Sequence, residues 1–341
     1  MLKPLSDITV IEIEGLGPAP FCGQFLQELG ASVTVVKRPS KTPAVPVPPI
    51  FERGKTAITL DLKSDEGREA VKALIKDADC LIEGMRPGVM EKFGLGPEDL
   101  AADNPALIYG RITGWGQDGP LASAAGHDIN YAALSGALWY SGQVGQPPLA
   151  PPTLLADIGG GALYLMIGIL SALLHAKSTG EGQVIDAAMV DGSAHMMNLL
   201  LSLMPFGQLQ EARGKSLLDG PHWYNSYLCA DGEFITIGAL EPQFYALLLD
   251  KLGLRDDEDF KAQMNAKNWP DLTRRLDRIF KTKTQAQWRE IMEGTDICFA
   301  PVLSPIKAAE HPHMKARGIY SEEHGGLRAA RAPRFSPLKA N

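Results

Sequence analysis

Short apolar and β-branched runs alternate with amphipathic segments along the first third of the chain. The runs have the length and composition of strands, and a helical segment at residues 21–29, ending at Gly30, separates the first two. Ser64 occupies the N-cap position before another amphipathic segment, residues 65–76. This alternation is typical of a parallel sheet flanked by helices. The strands are predicted at residues 8–12, 32–37, 59–62, 80–83 and 107–111.

The rest of the chain continues the mixture of helices and strands. A helix is predicted after Gly126, a long helix over residues 152–177 and a strand over 183–187. The composition becomes loop-like near residues 214–222, and we place a domain change there. The chain is therefore expected to be an α/β protein with two domains. The second domain is predicted to have strands at 233–239 and 298–302 and helices at 242–252, 269–280 and 284–292.

Composition restricts the class of protein. The 341 residues carry a formal net charge of -7, with 45% hydrophobic and 21% charged residues. No nucleic-acid partner is expected from this balance, although a few local basic residues can still bind an anionic ligand. The four cysteines form no CxxC pair, which fits a reduced intracellular protein. Cys80 and Cys298 lie in apolar runs and are predicted to be core thiols.

The sequence contains no pattern typical of export or membrane insertion. The amino-terminal segment lacks the basic-then-apolar pattern of a signal peptide. The longest apolar stretch, residues 162–175, is interrupted by glycine and is shorter than the roughly 20 residues that span a bilayer. We therefore expect a cytoplasmic protein without a membrane partner.

Glycines follow the first strand, and basic residues follow several strands. The segment from Gly15 to Pro20 lacks the third glycine of a dinucleotide loop, and Lys37 and Arg38 stand where an acidic residue would bind ribose. A hydride-transfer cofactor is therefore not expected, and a tight turn explains the glycines equally well. Arginine suits bidentate phosphate contacts, so a ligand such as coenzyme A, with its 3′-phosphate and diphosphate, fits the basic set. The set comprises Lys37, Arg38, Arg53, Lys55, Lys63 and Arg86.

Most surface Lys and Arg side chains are only solvated, but prolines adjoin Arg38 and Arg86 and fix the local chain. Arg38 also opens a segment with five prolines, residues 38–50, that we interpret as a loop. These two arginines are the strongest candidates for phosphate contacts.

The segment GHDINY, residues 126–131, has the sharpest chemical pattern. At the start of a helix its backbone N–H groups could bind a thioester oxygen, and His127 could move a proton. Asp157 lies in an apolar helical run followed by three glycines, where a lone carboxylate is costly unless it is paired, protonated or facing a cavity. Each candidate also has a structural alternative. His127 could be a core histidine, Asp157 could lie at a helix-packing site, and Glu241, before Pro242, could serve only to start a helix.

These motifs together resemble family III CoA-transferases, in the right order over nearly the whole chain. The resemblance implies that CoA binds to Arg38, to Leu60, Asp61, Leu62 and Lys63, and to Arg86. It rests on Gly17-Pro18, Leu29-Gly30-Ala31, Val36-Lys37-Arg38-Pro39, Arg53-Gly54-Lys55, Leu60-Asp61-Leu62-Lys63, Arg86-Pro87-Gly88, the run from Leu107 to Gly119-Pro120, and Gly180-Glu181-Gly182-Gln183.

Two activities compete within that family. Its transferases use an Asp at the position of Asp157 as a nucleophile, whereas its racemases of 2-methylacyl-CoA thioesters use that Asp as an acid/base and add a His in a GHDxNY segment and a Glu at the position of Glu241. This chain has all three, so the resemblance implies a racemase that needs neither a cofactor nor a metal. Gly126, Asp128, Asn130 and Tyr131 are expected to contact the substrate. A transferase and a non-catalytic acyl-CoA-binding protein are the alternatives.

The resemblance also implies the architecture. A large Rossmann-like domain, residues 1–215 completed by the tail 320–341, would accompany a smaller α/β domain, residues 216–319. Two chains would interlock as a homodimer, so that Glu241 of one reaches His127 of the other. Pro221 and His222 depart from the glycine and aromatic pattern of the racemases, and this segment is expected to shape the acyl pocket.

Overall fold

The computed structural model describes residues 2–39, 51–323 and 325–338; most of the predicted proline-rich loop lies outside them. Contacts divide the chain into two units. The first consists of Met1–Trp139, Leu149–Asn198 and Arg331–Asn341, and the second of Tyr140–Pro148 and Leu199–Ala330. The second unit begins before the expected boundary at residue 216, and it also contains the segment Tyr140–Pro148. The carboxyl-terminal tail belongs to the first unit only from Arg331, whereas residue 320 was expected.

A six-stranded parallel sheet forms the centre of the first unit. Its order is β3-β2-β1-β4-β5-β6, so the chain runs outward from β1 and then returns to continue on the other side at β4. This is the order of doubly wound dinucleotide-binding folds, and the expected α/β class with a parallel sheet is confirmed. The strands are β1 (Thr9–Ile13), β2 (Ser32–Lys37), β3 (Thr56–Thr59), β4 (Cys80–Glu83), β5 (Ile108–Thr113) and β6 (Gln183–Ala188).

Helices cover both faces of this sheet and bury its alternating side chains in two clusters. Ser64 accepts a hydrogen bond from the Gly67 N–H, as its predicted N-cap role requires. The third strand is the poorest prediction, since it ends three residues before residue 62. The helices are α1 (Pro18–Glu28), α2 (Asp65–Lys76), α3 (Val89–Lys92), α4 (Pro97–Leu100), α5 (Asp128–Leu134), α6 (Leu163–Thr179) and α7 (Met189–Met196).

The long predicted helix is two helices of different winding. Leu154–Ala162 form a π-helix, which continues directly into α6. Its glycines allow close packing of α7: a Cβ on Gly160 would lie 2.5 Å from the Ser193 hydroxyl, and one on Gly192 would lie 1.8 Å from the Gly160 carbonyl oxygen. Approach of another backbone, one of the two explanations considered for these glycines, therefore accounts for Gly160.

The combined helix also changes the assessment of membrane spans. Leu154–Thr179 are 26 continuous helical residues, long and apolar enough by length and composition alone to cross a bilayer. The sequence prediction counted a shorter stretch because it broke the run at its glycines. Core helices pass the same test, and Leu165, Met166 and Ile169 are buried against the sheet.

The second unit is built on a small antiparallel sheet, β7-β8-β9. Aromatic side chains, among them Trp223, Phe260 and Phe280, form the centre of its core. Two short helical segments, α8 (Asn198–Leu201) and a 3₁₀ turn (Met204–Phe206), precede it. Its elements are β7 (Tyr224–Leu228), β8 (Phe234–Gly238), α9 (Pro242–Leu252), α10 (Glu258–Lys261), α11 (Trp269–Phe280), α12 (Gln285–Met292), β9 (Phe299–Val302), α13 (Pro305–Glu310), α14 (Pro312–Ala316) and the hairpin β10 (Tyr320–Glu323) to β11 (Gly326–Ala329).

Two side chains of this unit differ from their predicted settings. Cys298 was expected in the core but is exposed, because it precedes β9 in a left-handed conformation with φ 61°. His222 lies in the segment expected to shape an acyl pocket, yet its side chain is fully buried. Its Nε2 is 2.7 Å from the Tyr245 hydroxyl, which donates to the Phe260 carbonyl, so the ring belongs to the core of the unit.

Candidate active site

The predicted chemical residues of the first unit gather at the carboxyl ends of its strands. The loop from Gly15 to Gly17 leaves β1, the Arg86 loop leaves β4, and Gly114 leaves β5 towards the GHDINY segment. Strands β1 and β4 are neighbours at the point where the chain reverses its direction across the sheet. Ligands of open α/β sheets bind in the crevice at this position, so the fold places the candidate residues where a ligand is expected.

His127 is the N-cap residue of α5, with extended backbone angles and an exposed side chain. The Asn130 side-chain oxygen accepts a hydrogen bond of 3.1 Å from the His127 N–H and thereby fixes the start of the helix. The predicted helix after Gly126 thus begins at Asp128, and Asn130, in its first turn, holds that start. The His127 side chain makes no capping hydrogen bond, so it is not used to start α5.

Tyr131 explains the glycines on both sides of the turn into α5. A Cβ on Gly114 would lie 2.0 Å from the Tyr131 ring, and one on Gly126 would lie 2.6 Å from it. Trp115 packs edge-on against the same ring, with centroids 4.7 Å apart. Gly126 is therefore required by packing of Tyr131.

Asp128 joins α5 to the π-helix. Its carboxylate is buried and accepts hydrogen bonds from the backbone N–H groups of Ala156, at 2.7 Å, and Asp157, at 2.9 Å. The sequence had suggested only the backbone of Asp128 as a ligand group. This contact was missed because 28 and 29 residues separate the partners, and no local signal distinguishes it from a helix-start Asp.

Asp157 is half-buried in the first turns of the π-helix. One carboxylate oxygen lies 3.6 Å from where a Cβ on Gly17 would be, so this carboxylate faces the glycine loop after β1. Burial, and then the charge of Asp128, raise the pKa of Asp157 to about 6, while His127 lowers it by a smaller amount. Burial, with the charge of Asp157, also raises the pKa of Tyr131. The structure therefore brings His127, Asp128, Tyr131 and Asp157 together.

The basic residues of the first unit fall into two groups. Lys55 is buried and pairs with Glu12 at 2.6 Å, Lys37 pairs with Glu52, and the Arg38 Nε donates to Glu14 at 2.9 Å. The side chains of Lys63 and Arg86, in contrast, are exposed and have no ion-pair partner among residues 2–39, 51–323 and 325–338. Sequence could not identify these pairings, because each partner comes from a different strand or loop.

The segment after β3 combines core and loop positions. Leu60 and Leu62 pack against the core, and the Leu60 N–H donates to the Lys37 carbonyl at the end of β2. Asp61 accepts a hydrogen bond from the Lys63 N–H and so shapes the turn into α2. The segment therefore holds Lys63 close to the carboxyl end of β2, near the backbone of Arg38.

Arg111 fixes both sides of the loop that carries Arg86. From β5 it donates to Glu83, at the end of β4, at 2.9 Å and to Glu91, on α3, at 2.7 Å. Glu83 in turn accepts the Met85 N–H at 2.6 Å. The exposed Arg86 side chain thus lies on a loop whose two sides are held by hydrogen bonds, and no sequence pattern indicated this arrangement.

Glu241 belongs to the second unit and is the N-cap residue of α9, with Pro242 following as expected. Its side chain is exposed and does not cap the helix; only its backbone carbonyl is used, accepting from the Tyr245 N–H. Glu241 contributes to raising the pKa of the neighbouring Cys298 thiol, after burial of that thiol. Helix capping by the side chain therefore does not account for the carboxylate.

Among the residues described, no group of three or more His, Cys, Asp or Glu side chains could hold a metal ion.

Similarity to known proteins extends over nearly the whole chain. The profile of CoA-transferase family III matches residues 5–340. The chain belongs to this family. The resemblance proposed from the sequence motifs is therefore confirmed.

Curated relatives of this family III chain include two mammalian enzymes. The chain is 44% identical to the alpha-methylacyl-CoA racemase of Homo sapiens, covering 99% of this chain and 87% of the human one. It is 43% identical to the alpha-methylacyl-CoA racemase of Mus musculus, covering 98% and 86%. Among solved structures, a CaiB/BaiF family protein from Brucella suis superimposes with a TM-score of 0.81 at 29% identity, covering 98% of this chain and 93% of that one.

Proposed function

We propose that this family III protein is a racemase of 2-methylacyl-CoA thioesters that interconverts the (2R) and (2S) forms by proton transfer at the α-carbon. One observation carries the proposal: Asp128, directly after His127, binds the backbone of Asp157, so that an imidazole and a tuned carboxylate share one site. The human and mouse relatives, which are named for this activity, support it.

Racemisation requires that a proton leave one face of the α-carbon and another return to the opposite face. Two different acid/base groups, His127 and Asp157, meet this requirement without a cofactor. A base with a pKa of about 6 is well matched to proton transfer near neutral pH. The thioester becomes an enolate, whose oxygen would accept hydrogen bonds from the first N–H groups of α5, beginning with Asp128.

The remaining GHDINY residues would support the substrate. Asn130 holds the helix start at which the thioester oxygen binds, Gly126 leaves room for Tyr131, and Tyr131 forms the wall beside Asp157.

The CoA portion would bind along the carboxyl edge of the sheet. Arg86 and Lys63 offer phosphates cationic groups that have no ion-pair partner within the described part of the chain, and Arg38 presents the rest of its guanidinium beside Glu14. The segment Leu60, Asp61 and Leu62 supplies backbone and apolar surface next to Lys63.

The assembly would be an interlocked homodimer in the cytoplasm, without nucleic-acid or membrane partners. In it the Glu241 of one subunit would orient His127 of the other and stabilise its charged form. The exposed, non-capping carboxylate of Glu241 supports this role.

A panel of (2R)-methylacyl-CoA thioesters incubated in deuterated water tests the proposal. The panel should contain branched fatty, bile-acid-like and sterol side-chain acyl groups. Deuterium should enter the α-position together with formation of the (2S) form. A covalent acyl or CoA adduct on Asp157, trapped with hydroxylamine and formed without α-deuteration, would instead identify a CoA-transferase. Binding with neither reaction would indicate a non-catalytic acyl-CoA-binding protein.

A further inference from the structure

The Asp128 carboxylate is in an unusual position for the first residue of a helix. An Asp there ordinarily favours its own helix dipole from an exposed side chain. Here the side chain is buried and binds two consecutive N–H groups at the first turn of the π-helix, those of Ala156 and Asp157. These N–H groups lie in the part of a helix that has no acceptor of its own. One carboxylate therefore fixes the backbone of Asp157 relative to the residue that follows His127.

We propose that Asp128 is the positioning residue of the acid/base pair: its side chain anchors the backbone of Asp157 and places a negative charge beside that residue, without touching the substrate. This inference rests on the proposed racemase function and deepens it. The hydrogen bonds fix where the Asp157 carboxylate starts, and the negative charge disfavours a second negative charge beside it. Burial contributes most to raising the pKa of Asp157 to about 6, and the charge of Asp128 contributes next, in agreement with this second effect.

Asp157 has few other ionisable neighbours. His127 acts in the opposite direction, and Tyr131 is neutral near physiological pH because its pKa is raised. On the other elements that pack against the π-helix, Arg111 on β5 pairs with Glu83, the Asp186 carboxylate on β6 accepts a hydrogen bond from the Gln117 N–H, and Tyr164 on α6 contacts His195 on α7. The Cys22 thiol on α1 is buried, and its pKa is raised above the ordinary value, as is that of Asp191 on α7. Asp128 is therefore the carboxylate that acts on Asp157.

Two substitutions separate the two effects. Asp128→Asn keeps an oxygen that can accept both N–H groups but removes the charge. Asp157 should then titrate below 6, towards the ordinary value of 3.8, and the acid limb of the kcat/KM profile should move to lower pH with it. Asp128→Ala also removes the acceptor, so the backbone of Asp157 loses its anchor. Turnover should then fall by a further factor of about 10², with little change in KM, as expected for a misplaced catalytic group.

The experiment follows the carboxyl carbon of Asp157 by NMR in protein labelled with ¹³C at aspartate side chains, with Asp157→Asn to assign the signal. Racemisation is measured on the same samples. Asp191→Asn is the matched control, a carboxylate on another helix packed against the π-helix, and should leave the Asp157 titration unmoved. An unmoved titration in Asp128→Asn, or equal turnover of the Asn and Ala variants, would overturn the inference. A downward shift in a protein that racemises none of the thioesters would uphold the effect on Asp157 and reject the racemase function.

Discussion

The first unit contains two kinds of buried carboxylate. Glu12 and Glu83 lie on the strands β1 and β4 and face the cations Lys55 and Arg111. Asp128 and Asp157 lie at the starts of helices; the charge of Asp128 raises the pKa of Asp157, and the exposed His127 lowers it by a smaller amount. Both kinds are partly desolvated, and desolvation raises the pKa of Glu12 to about 7 even against the opposing effect of Lys55.

The two kinds of carboxylate therefore have different roles, one in holding the fold and one in the proposed chemistry. A buried carboxylate with a cation joins elements of the fold: Lys55 also donates to the Pro20 carbonyl, and Arg111 spans β4 and α3. Asp128 also links two elements, because it binds the backbone at the start of the π-helix, but it has no cationic partner among the described residues, and its charge makes ionisation of Asp157 harder. Such an arrangement is tolerated where a group must exchange a proton, so the carboxylates without a cationic partner mark the reactive part of the sheet edge.

Removing either proposed base should have the largest effect. Asp157→Ala and His127→Ala should each lower racemisation by ~10²–10⁴-fold, the range of a positioned acid/base group, while CoA thioester binding changes far less. Because each base serves one face, His127→Ala should still exchange deuterium into one enantiomer only. Chiral analysis after incubation in deuterated water measures both effects. Near-native racemisation by either variant would exclude the two-base mechanism.

Removing a cation from a paired carboxylate should instead affect stability. Lys55→Met leaves Glu12 buried without its partner, and the free energy of unfolding should fall by about 3–5 kcal/mol. The double variant Glu12→Gln with Lys55→Met should recover most of that loss. Urea unfolding monitored by circular dichroism compares the three proteins. A single variant as stable as the wild type would mean that Lys55 does not hold the strands together.

Glu12 also gives the wild type a pH dependence. Its folded pKa of about 7 lies above the ordinary value of 4.5, so the unfolded chain releases this proton at lower pH than the folded chain. The contribution of Glu12 to stability is therefore present below pH 4.5 and is lost as the pH rises to about 7. Glu12→Gln should remove this slope from the unfolding free energy.

The sequence predicted most of the elements but not their finer geometry. Short, mostly apolar runs such as β4 and strongly amphipathic segments such as α2 have patterns that few other structures share. The strand β3 was misplaced because Leu60 and Leu62 continue the apolar pattern and pack against the core beyond the end of the strand at Thr59. The π-helix could not be predicted, since a hydrophobic run does not indicate its winding, and close packing at Gly160 depends on α7.

The candidate site likewise contains residues that the sequence could identify and contacts that it could not. GHDINY, Asp157 and Glu241 could be selected because their residue types and neighbours are unusual locally. The contact of Asp128 with the π-helix and the pairing of Lys55 with Glu12 join distant parts of the chain, so no window of sequence contains them. Roles across a subunit interface, above all that of Glu241, stay predictions.

Substitution of Glu241 tests whether this exposed carboxylate acts together with His127 and Asp157. If it orients His127, Glu241→Gln should lower kcat by roughly tenfold, a part of what a positioned base contributes, with little change in KM. Loss of its charge should move the basic limb of the pH profile, which reports His127, to lower pH. A helix-start role predicts only a few tenths of a kcal/mol in stability and native rates. A pH–rate profile with a native kcat and an unmoved limb would assign Glu241 to the helix alone.

The smallest expected effect extends the comparison from carboxylates to cations. Arg86 has no partner among the residues described and sits on a loop fixed by Arg111, so its full charge is available to a phosphate. Loss of one charge-assisted hydrogen bond is worth about 1.5–3 kcal/mol, and Arg86→Ala should raise KM about tenfold or more with little change in kcat. Arg38 shares its guanidinium with Glu14, so Arg38→Ala should raise KM less. Arg274→Ala, an exposed arginine of the second unit paired with Asp271, is the control and should leave KM unchanged. Steady-state kinetics with one thioester ranks the KM values of the three variants. An equal KM for Arg86→Ala and Arg274→Ala would remove Arg86 from the CoA site. A larger increase in KM for Arg38→Ala than for Arg86→Ala would mean that pairing with Glu14 orients the Arg38 guanidinium for phosphate instead of occupying it.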